Sequence, residues 1–378
     1  MSLPQDLQPK NRQVPAWSSL GITSPNPVFL APLAGVSDHP FRRVCAARGA
    51  DLTYVEMISA AALIHNSERT FGMLKRHSSE GVLGVQVTGR SADETAEAIG
   101  ILDRLERFDT IDINMGCPVQ KVVKSGCGSA ILKDPRRVFE TLQKSRKQTT
   151  LPLTAKIRLG WDRNSLNGVE VAKAVEEGGA DWLTVHGRTR SDDYGVAVDL
   201  EAIAEIKAAV KIPVLGNGNL FSVPDAKMML EKTGVDGLML SRGALGDPWL
   251  FARIKGRKEP LHRDEWLSCV RDHVAWQAEE YGSQGSGAVC LRKHLLWYAK
   301  GWTGVKHLRE ALNCTEDLSL ALKTIEEFCE TLYASGVEVR EDAEDFDRSG
   351  QRFRWDPKFE MDRILDRGVG DDGLVSPG

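Results

Sequence analysis

The sequence predicts a (β/α)8 barrel followed by a small helical domain, and three observations lead there. Eight short strand-like apolar runs alternate with amphipathic stretches between residues 27 and 255, in units of about 29 residues. That rhythm belongs to a parallel sheet with crossover helices, and eight such units close a barrel. The first unit, GVSDHPFR (35–42), lacks the glycine fingerprint that a doubly wound open sheet carries after its first strand. Glycine-rich segments, GNGN (216–219) and SRGALGDP (241–248), follow the last two runs, where many barrels hold a phosphate.

The predicted strands are PVFLAPLAG (27–35), DLTYVEM (51–57), VLGVQVTG (82–89), TIDINMG (110–116), LPLTAKIRLG (151–160), ADWLTVHG (180–187), KIPVLGNGN (211–219) and VDGLMLSRG (235–243). Helical patterns at 91–106, 134–147, 169–178 and 199–210 separate them. Helix-rich sequence runs from about 262 to 335, broken by the bend YGSQGSG (281–287). The expected domains are an extension (1–26), the barrel (27–258), a helical domain (259–335) and an acidic tail (336–378).

Composition narrows the function classes. With 42% hydrophobic and 27% charged residues the chain reads as soluble and globular, and no apolar run approaches the roughly 20 residues of a membrane helix. The N-terminus has no apolar signal-peptide core. Seven cysteines, at 45, 117, 127, 269, 290, 314 and 329, form neither C-x-x-C pairs nor Cys/His clusters, so reduced thiols in a cytoplasmic protein without a metal are expected. The net charge of −4 is uneven: residues 334–378 contribute −5, and Tyr281–Arg309 hold five Lys/Arg and no acid. A local basic field of this kind leaves a polyanionic partner open.

Strand ends supply the candidate chemistry: Glu56, Gln86, Asn114, Lys156, Arg158, His186, Asn217, Ser241 and Arg242. Cys117 lies in a Gly-Cys-Pro turn after the fourth strand, which would face its thiol to the mouth; the alternative is a small buried hydrophobe. Cys127, between two glycines, reads as a small residue in a tight turn. Lys156 and Arg158, two apart on one strand, point the same way. Either they pair with Glu56 or Asp112, or they meet an anionic ligand. Flavin mononucleotide (FMN) fits that site: Gln86 and Asn114 can bond ring edges, and Lys156 can stabilise a reduced ring.

Taken together, LAPLAGVSDHPFR (30–42), VQVTG (85–89), DINMGCPVQKV (112–122), GSAIL (128–132), KIRLGW (156–161), VHGRTR (185–190), GNGN (216–219), SRGALGDPWLF (241–251) and RKHLLWY (292–298) resemble the tRNA-dihydrouridine synthase family, most closely its bacterial B-type branch. The resemblance spans roughly residues 27–320. It implies reduction of particular tRNA uridines to 5,6-dihydrouridine with FMN and NADPH (or NADH). It makes Cys117 the general acid, protonating C5 of the uracil as hydride passes from flavin N5 to C6. Pro32, Leu33, Ala34, Gln86, Lys156 and His186 would contact the flavin ring. Asn217, Gly218, Asn219, Ser241 and Arg242 would hold its phosphate, and Asn114, Arg158 and Tyr194 would face the base. Where Asn219 and Ser241 stand, the family usually has an acid and a glycine.

On a helix over 289–302, Lys293, Trp297 and Lys300 share one side and Leu291, Leu295, Tyr298 and Trp302 the other. The first side is the expected tRNA-facing surface of the helical domain. A monomer is expected. The rival reading is an FMN-dependent oxidoreductase of a free pyrimidine, similar to dihydroorotate or dihydropyrimidine dehydrogenases.

Overall fold

The computed structural model describes residues 16–259, 261–302 and 304–334. Eight strands, β1 (Val28–Leu30), β2 (Thr53–Ser59), β3 (Leu83–Thr88), β4 (Thr110–Asn114), β5 (Leu153–Arg158), β6 (Trp182–His186), β7 (Val214–Asn217) and β8 (Gly237–Leu240), form one parallel sheet. β1 pairs with β8, and the ring closes where the Leu30 N–H donates to Leu52 O (2.9 Å) and the Asp51 N–H to Val28 O (3.0 Å). Seven of the expected runs contain one strand each, while β2 runs two residues beyond its expected end at 57, to Ser59.

Alternation along each strand builds two cores. Val28, Leu30, Val85, Ile111, Ile157, Val185 and Leu238 face outward and pack against the surrounding helices. Phe29, Tyr54, Trp182, Leu215 and Met239 face inward and fill the lower barrel. Gly84 is part of that fit, because a Cβ there would stand 2.4 Å from the Tyr54 ring. Polar inward residues are thereby left for the C-terminal ends of the strands.

The first strand starts at Val28, and a short helical turn before it (Ala16–Leu20) packs onto the barrel. Trp17, 2% exposed, closes the N-terminal end, its ring 6.1 Å from Phe29 and 5.8 Å from Trp182. Trp17→Ala should cost about 3–5 kcal/mol of stability, read as a lowered urea midpoint with little change in slope. The expected acidic tail lies outside the described residues.

Four helices, Arg263–Tyr281, Ser286–Tyr298, Val305–Asn313 and Leu318–Ala334, form a cap among the described residues. Their core includes Trp266, Leu291, Leu295, Tyr298, Trp302 and Ile325, and it takes in Val44 and Trp249 from the barrel side. Arg43–Glu279 (2.7 Å) and Arg48–Asp272 (3.1 Å) add ion pairs across the joint. Among the described residues no helix is long and apolar enough to cross a membrane.

The cap corrects the expected RNA-facing side of the Ser286–Tyr298 helix. Trp297 is 7% exposed and belongs to the barrel's outer core. The loop after β8 lies so close that a Cβ on Gly246 would stand 2.1 Å from Trp297 O. Lys293 and Lys300 are half-buried. The helix is sandwiched between two cores, so the side that the helical wheel leaves open is covered by the barrel.

Candidate active site

Strand ends and the loops after them converge on one cleft at the C-terminal mouth. It is lined by Pro32, Leu33 and Ala34 after β1, Gln86 on β3, Asn114 and Cys117 at the end of β4, and Lys156 and Arg158 on β5. His186 ends β6, Tyr194 lies on the loop after it, Asn217, Gly218 and Asn219 close β7, and Ser241 and Arg242 follow β8. Lys293, Trp297 and Lys300 do not line it.

A buried polar chain fixes the Cys117 turn. Asp112 accepts hydrogen bonds from Gln86 Nε2 (2.7 Å) and Thr154 Oγ1 (2.5 Å). Burial raises its pKa to about 6 despite those bonds. Gln86 Oε1 accepts from Asn114 Nδ2 at 2.8 Å, and Asn114 Oδ1 accepts the Gly116 and Cys117 N–H groups at 3.2 and 2.9 Å. Arg158 grips the turn from the other side, donating through Nε to Gly116 O (2.8 Å) and through Nη1 to Thr189 O (2.7 Å). Asn114 and Arg158 thus spend most of their hydrogen bonds on backbone that shapes the thiol's surroundings. Only their remaining N–H groups are left for a base.

Burial pushes the Cys117 thiol above its ordinary range, so it stays protonated at neutral pH. The glycine after Cys127 is needed here. A Cβ on Gly128, at φ +56°, would stand 2.8 Å from Cys117 O and 2.9 Å from Cys117 Cβ. Cys127 itself is buried, its sulfur 4.0 Å from Ser125 O.

Among the described residues, Lys156 and Arg158 are not hydrogen-bonded to a carboxylate. Lys156 Nζ donates to Asn217 Oδ1 at 3.0 Å, and Glu56 is instead bound to the Gly35 N–H at 2.7 Å. Burial, then Arg158, lowers the Lys156 pKa to about 7. His186 is held well below its usual value, first by burial and then by Arg158, Lys156, Arg188 and Arg242, so its ring is neutral. Its Nε2 accepts from Arg188 Nη1 at 3.3 Å, which places any ring proton on Nδ1.

Arg188 is the residue that sequence reasoning misses. Fully buried, it donates to Val196 O (2.7 Å), Tyr194 O (3.1 Å) and Asn219 Oδ1 (3.0 Å), and burial lowers its pKa to about 10. The available signal is its place two residues after His186, with the same inward parity. Asn219, at φ +50°, also accepts from Arg242 Nη2 at 3.4 Å, and the Arg242 guanidinium lies 4.1 Å from the centre of the Tyr194 ring. The loops after β7 and β8 share one wall, since a Cβ on Gly243 would sit 1.9 Å from Leu220 O.

Among the described residues none that lines the cleft is acidic, while Lys156, Arg158, Arg188 and Arg242 all line it. Three arginines and a half-charged lysine outweigh the nearby carboxylates of Asp112, which faces Lys156, and Asp192, which faces Arg158 and Arg188, and this leaves a place for an anion. Pro32, Leu33, Met57 and Met239 supply an apolar wall beside it. The donor set fits a planar apolar ring carrying a phosphate.

The family model for dihydrouridine synthases matches residues 29–333. The tRNA-dihydrouridine synthase B of Pasteurella multocida is 37% identical over 309 residues, covering 80% of this chain and 92% of that protein. Its namesake from Pseudomonas aeruginosa is 38% identical over 312 residues (81% and 93%), and that from Pectobacterium carotovorum 35% over 313 residues (81% and 97%). A match across so much of both partners places the chain in the dihydrouridine synthase family.

Proposed function

We propose that this protein reduces the C5–C6 double bond of uridines in tRNA, using FMN in the cleft and NADPH as reductant. The observation that carries the reading is the protonated Cys117 thiol, held on its turn beside an acid-free, cation-rich cleft. Pro32, Leu33, Ala34 and Gln86 would meet the ring of FMN, and Gly218, Asn219, Ser241, Arg242 and Arg188 its phosphate end. Bound there, FMN would supply the hydride. Cys117 delivers the proton to C5 of the uracil, while Asn114 and Arg158 keep the turn in place. Lys156 gains charge as pH falls through about 7, and a bound anion favours its charged form. The protein acts as a cytoplasmic monomer without a metal.

A base in folded RNA reaches this depth only when turned out of its stack, so the RNA must dock across the mouth. The rim suits that docking. Lys121, Lys124 and Lys133 are exposed, and with Arg190 they make no ion pair among the described residues. Lys133 Nζ and the Arg190 guanidinium lie 3.5 and 4.6 Å from the centre of the Trp161 ring. By contrast, Arg90 and Arg136 each pair with a carboxylate, Glu94 and Glu140. Replacing Lys121, Lys124 and Lys133 with Ala should raise KM for tRNA. It should also flatten the slope of log affinity against log salt by about 0.7–0.9 for each phosphate that the variant no longer neutralises.

The test is to incubate the protein with FMN, NADPH and tRNA lacking dihydrouridine, then count dihydrouridine by mass spectrometry. Product in tRNA is expected. NADPH oxidation driven only by free uracil or orotate would move the assignment to a free-pyrimidine oxidoreductase.

A further inference from the structure

Lys293 comes from the cap, yet its ammonium reaches the barrel and donates to the Gly35 carbonyl, on the loop that follows β1. The N–H of the same glycine is held by Glu56 Oε2 at 2.7 Å. Glu56 lies where the β2–β3 register shifts, between Val55 and Ile58, and this bulge turns the carboxylate toward the loop. Gly35 itself sits at φ +71°, and Ser37 Oγ ties the loop internally by accepting the Leu33 N–H at 2.8 Å. Both peptide groups of Gly35 are therefore gripped, one by a cation from the cap and one by a carboxylate from the barrel. The segment so fixed carries Pro32, Leu33 and Ala34 along the wall of the cleft. The joint is ionic as well as hydrogen-bonded: Lys293 favours the charged forms of Asp38 and Glu56, against burial that raises Glu56 to about 7.

We infer that Lys293 is a positioning residue through which the cap sets the flavin-facing wall of the cleft, acting by way of Gly35 rather than by touching RNA. The inference rests on the FMN reading above. It explains why a long cationic side chain on a helix sandwiched between two cores is directed inward. It also makes the cap part of the cofactor site, so that the wall is positioned only when the cap is docked.

The experiment compares full-length Lys293→Met, Lys293→Arg and Glu56→Gln with the parent. FMN affinity is titrated on the apoprotein by fluorescence quenching, kcat and KM are measured for tRNA, and thermal unfolding reports folding. Losing one charge-assisted hydrogen bond should weaken FMN binding and lower kcat by about tenfold each in Lys293→Met, with KM for tRNA changed by less than about twofold. Lys293→Arg should recover most of both. Glu56→Gln keeps an acceptor for the Gly35 N–H but loses the charge facing Lys293, so a smaller loss of FMN affinity is expected. Parent-like FMN affinity in Lys293→Met, with a raised KM for tRNA, would overturn the inference and make Lys293 an RNA contact. If Lys293→Met does not fold, parent-like FMN affinity and kcat in Glu56→Gln overturn it instead. A parent protein that binds no FMN would defeat the functional reading itself, which is a separate outcome.

Discussion

Cys117→Ala is expected to lower the rate of dihydrouridine formation by about 10²–10⁴-fold, the usual contribution of a positioned general acid. FMN affinity should barely move, because the proposed role of the thiol is toward the base and Arg188 and Arg242 stand at the other end of the cleft's donor set. The pH profile follows from the direction of the thiol's shift. An acid must be protonated to act, and burial raises the Cys117 pKa above the ordinary thiol range. The rate should therefore hold through neutrality with respect to this group and fall only as pH rises into the alkaline range. Cys117→Ser keeps a hydroxyl on the same turn but a much weaker acid, so a partial loss is expected. Stopped-flow rates across pH for the three proteins would check all of this. An unchanged rate in Cys117→Ala would require another donor.

Arg242→Ala should weaken FMN binding by about 10–100-fold, the range expected when a hydrogen bond to a charged group is lost. The sharper reading comes from comparing FMN with riboflavin, which lacks the phosphate. The parent should prefer FMN strongly, and Arg242→Ala should erase most of that preference while binding riboflavin much as the parent does. Titration of both ligands into apoprotein measures it. If the variant loses FMN and riboflavin equally, Arg242 serves the ring region by stacking on Tyr194 and Phe221 instead.

Much of the fold is legible in the sequence because its signals are local. Each β-unit announces itself by a short apolar run, a turn and an amphipathic stretch, and inward parity at the strand ends picks out residues such as Gln86, Lys156 and His186. What escapes depends on neighbours distant in sequence. Trp17 stands alone in a proline-rich stretch, and nothing nearby says that it fills the bottom of a barrel whose walls come from residues as distant as Trp182, Leu215 and Met239. A helical wheel separates Trp297 from Leu295 but cannot say that both sides are covered. Asn114 reads as a polar group facing a ligand, whereas its hydrogen bonds go mainly to the Cys117 turn and Gln86. Glu56 reads as a strand-end carboxylate, but the bulge that points it at Gly35 is invisible in composition. The two-arginine arrangement around Asn219 needs the left-handed backbone there and the loop carrying Arg188, neither of which spacing alone reveals.

The most direct test of the central claim is an anaerobic single turnover. The FMN-loaded protein is reduced with one equivalent of NADPH and mixed with tRNA lacking dihydrouridine, and return of the oxidised-flavin absorbance is followed in time. Fast reoxidation by tRNA, much faster than by free uracil or orotate and strongly slowed in Cys117→Ala, is the predicted result. Reoxidation by a free pyrimidine with no response to tRNA would contradict it.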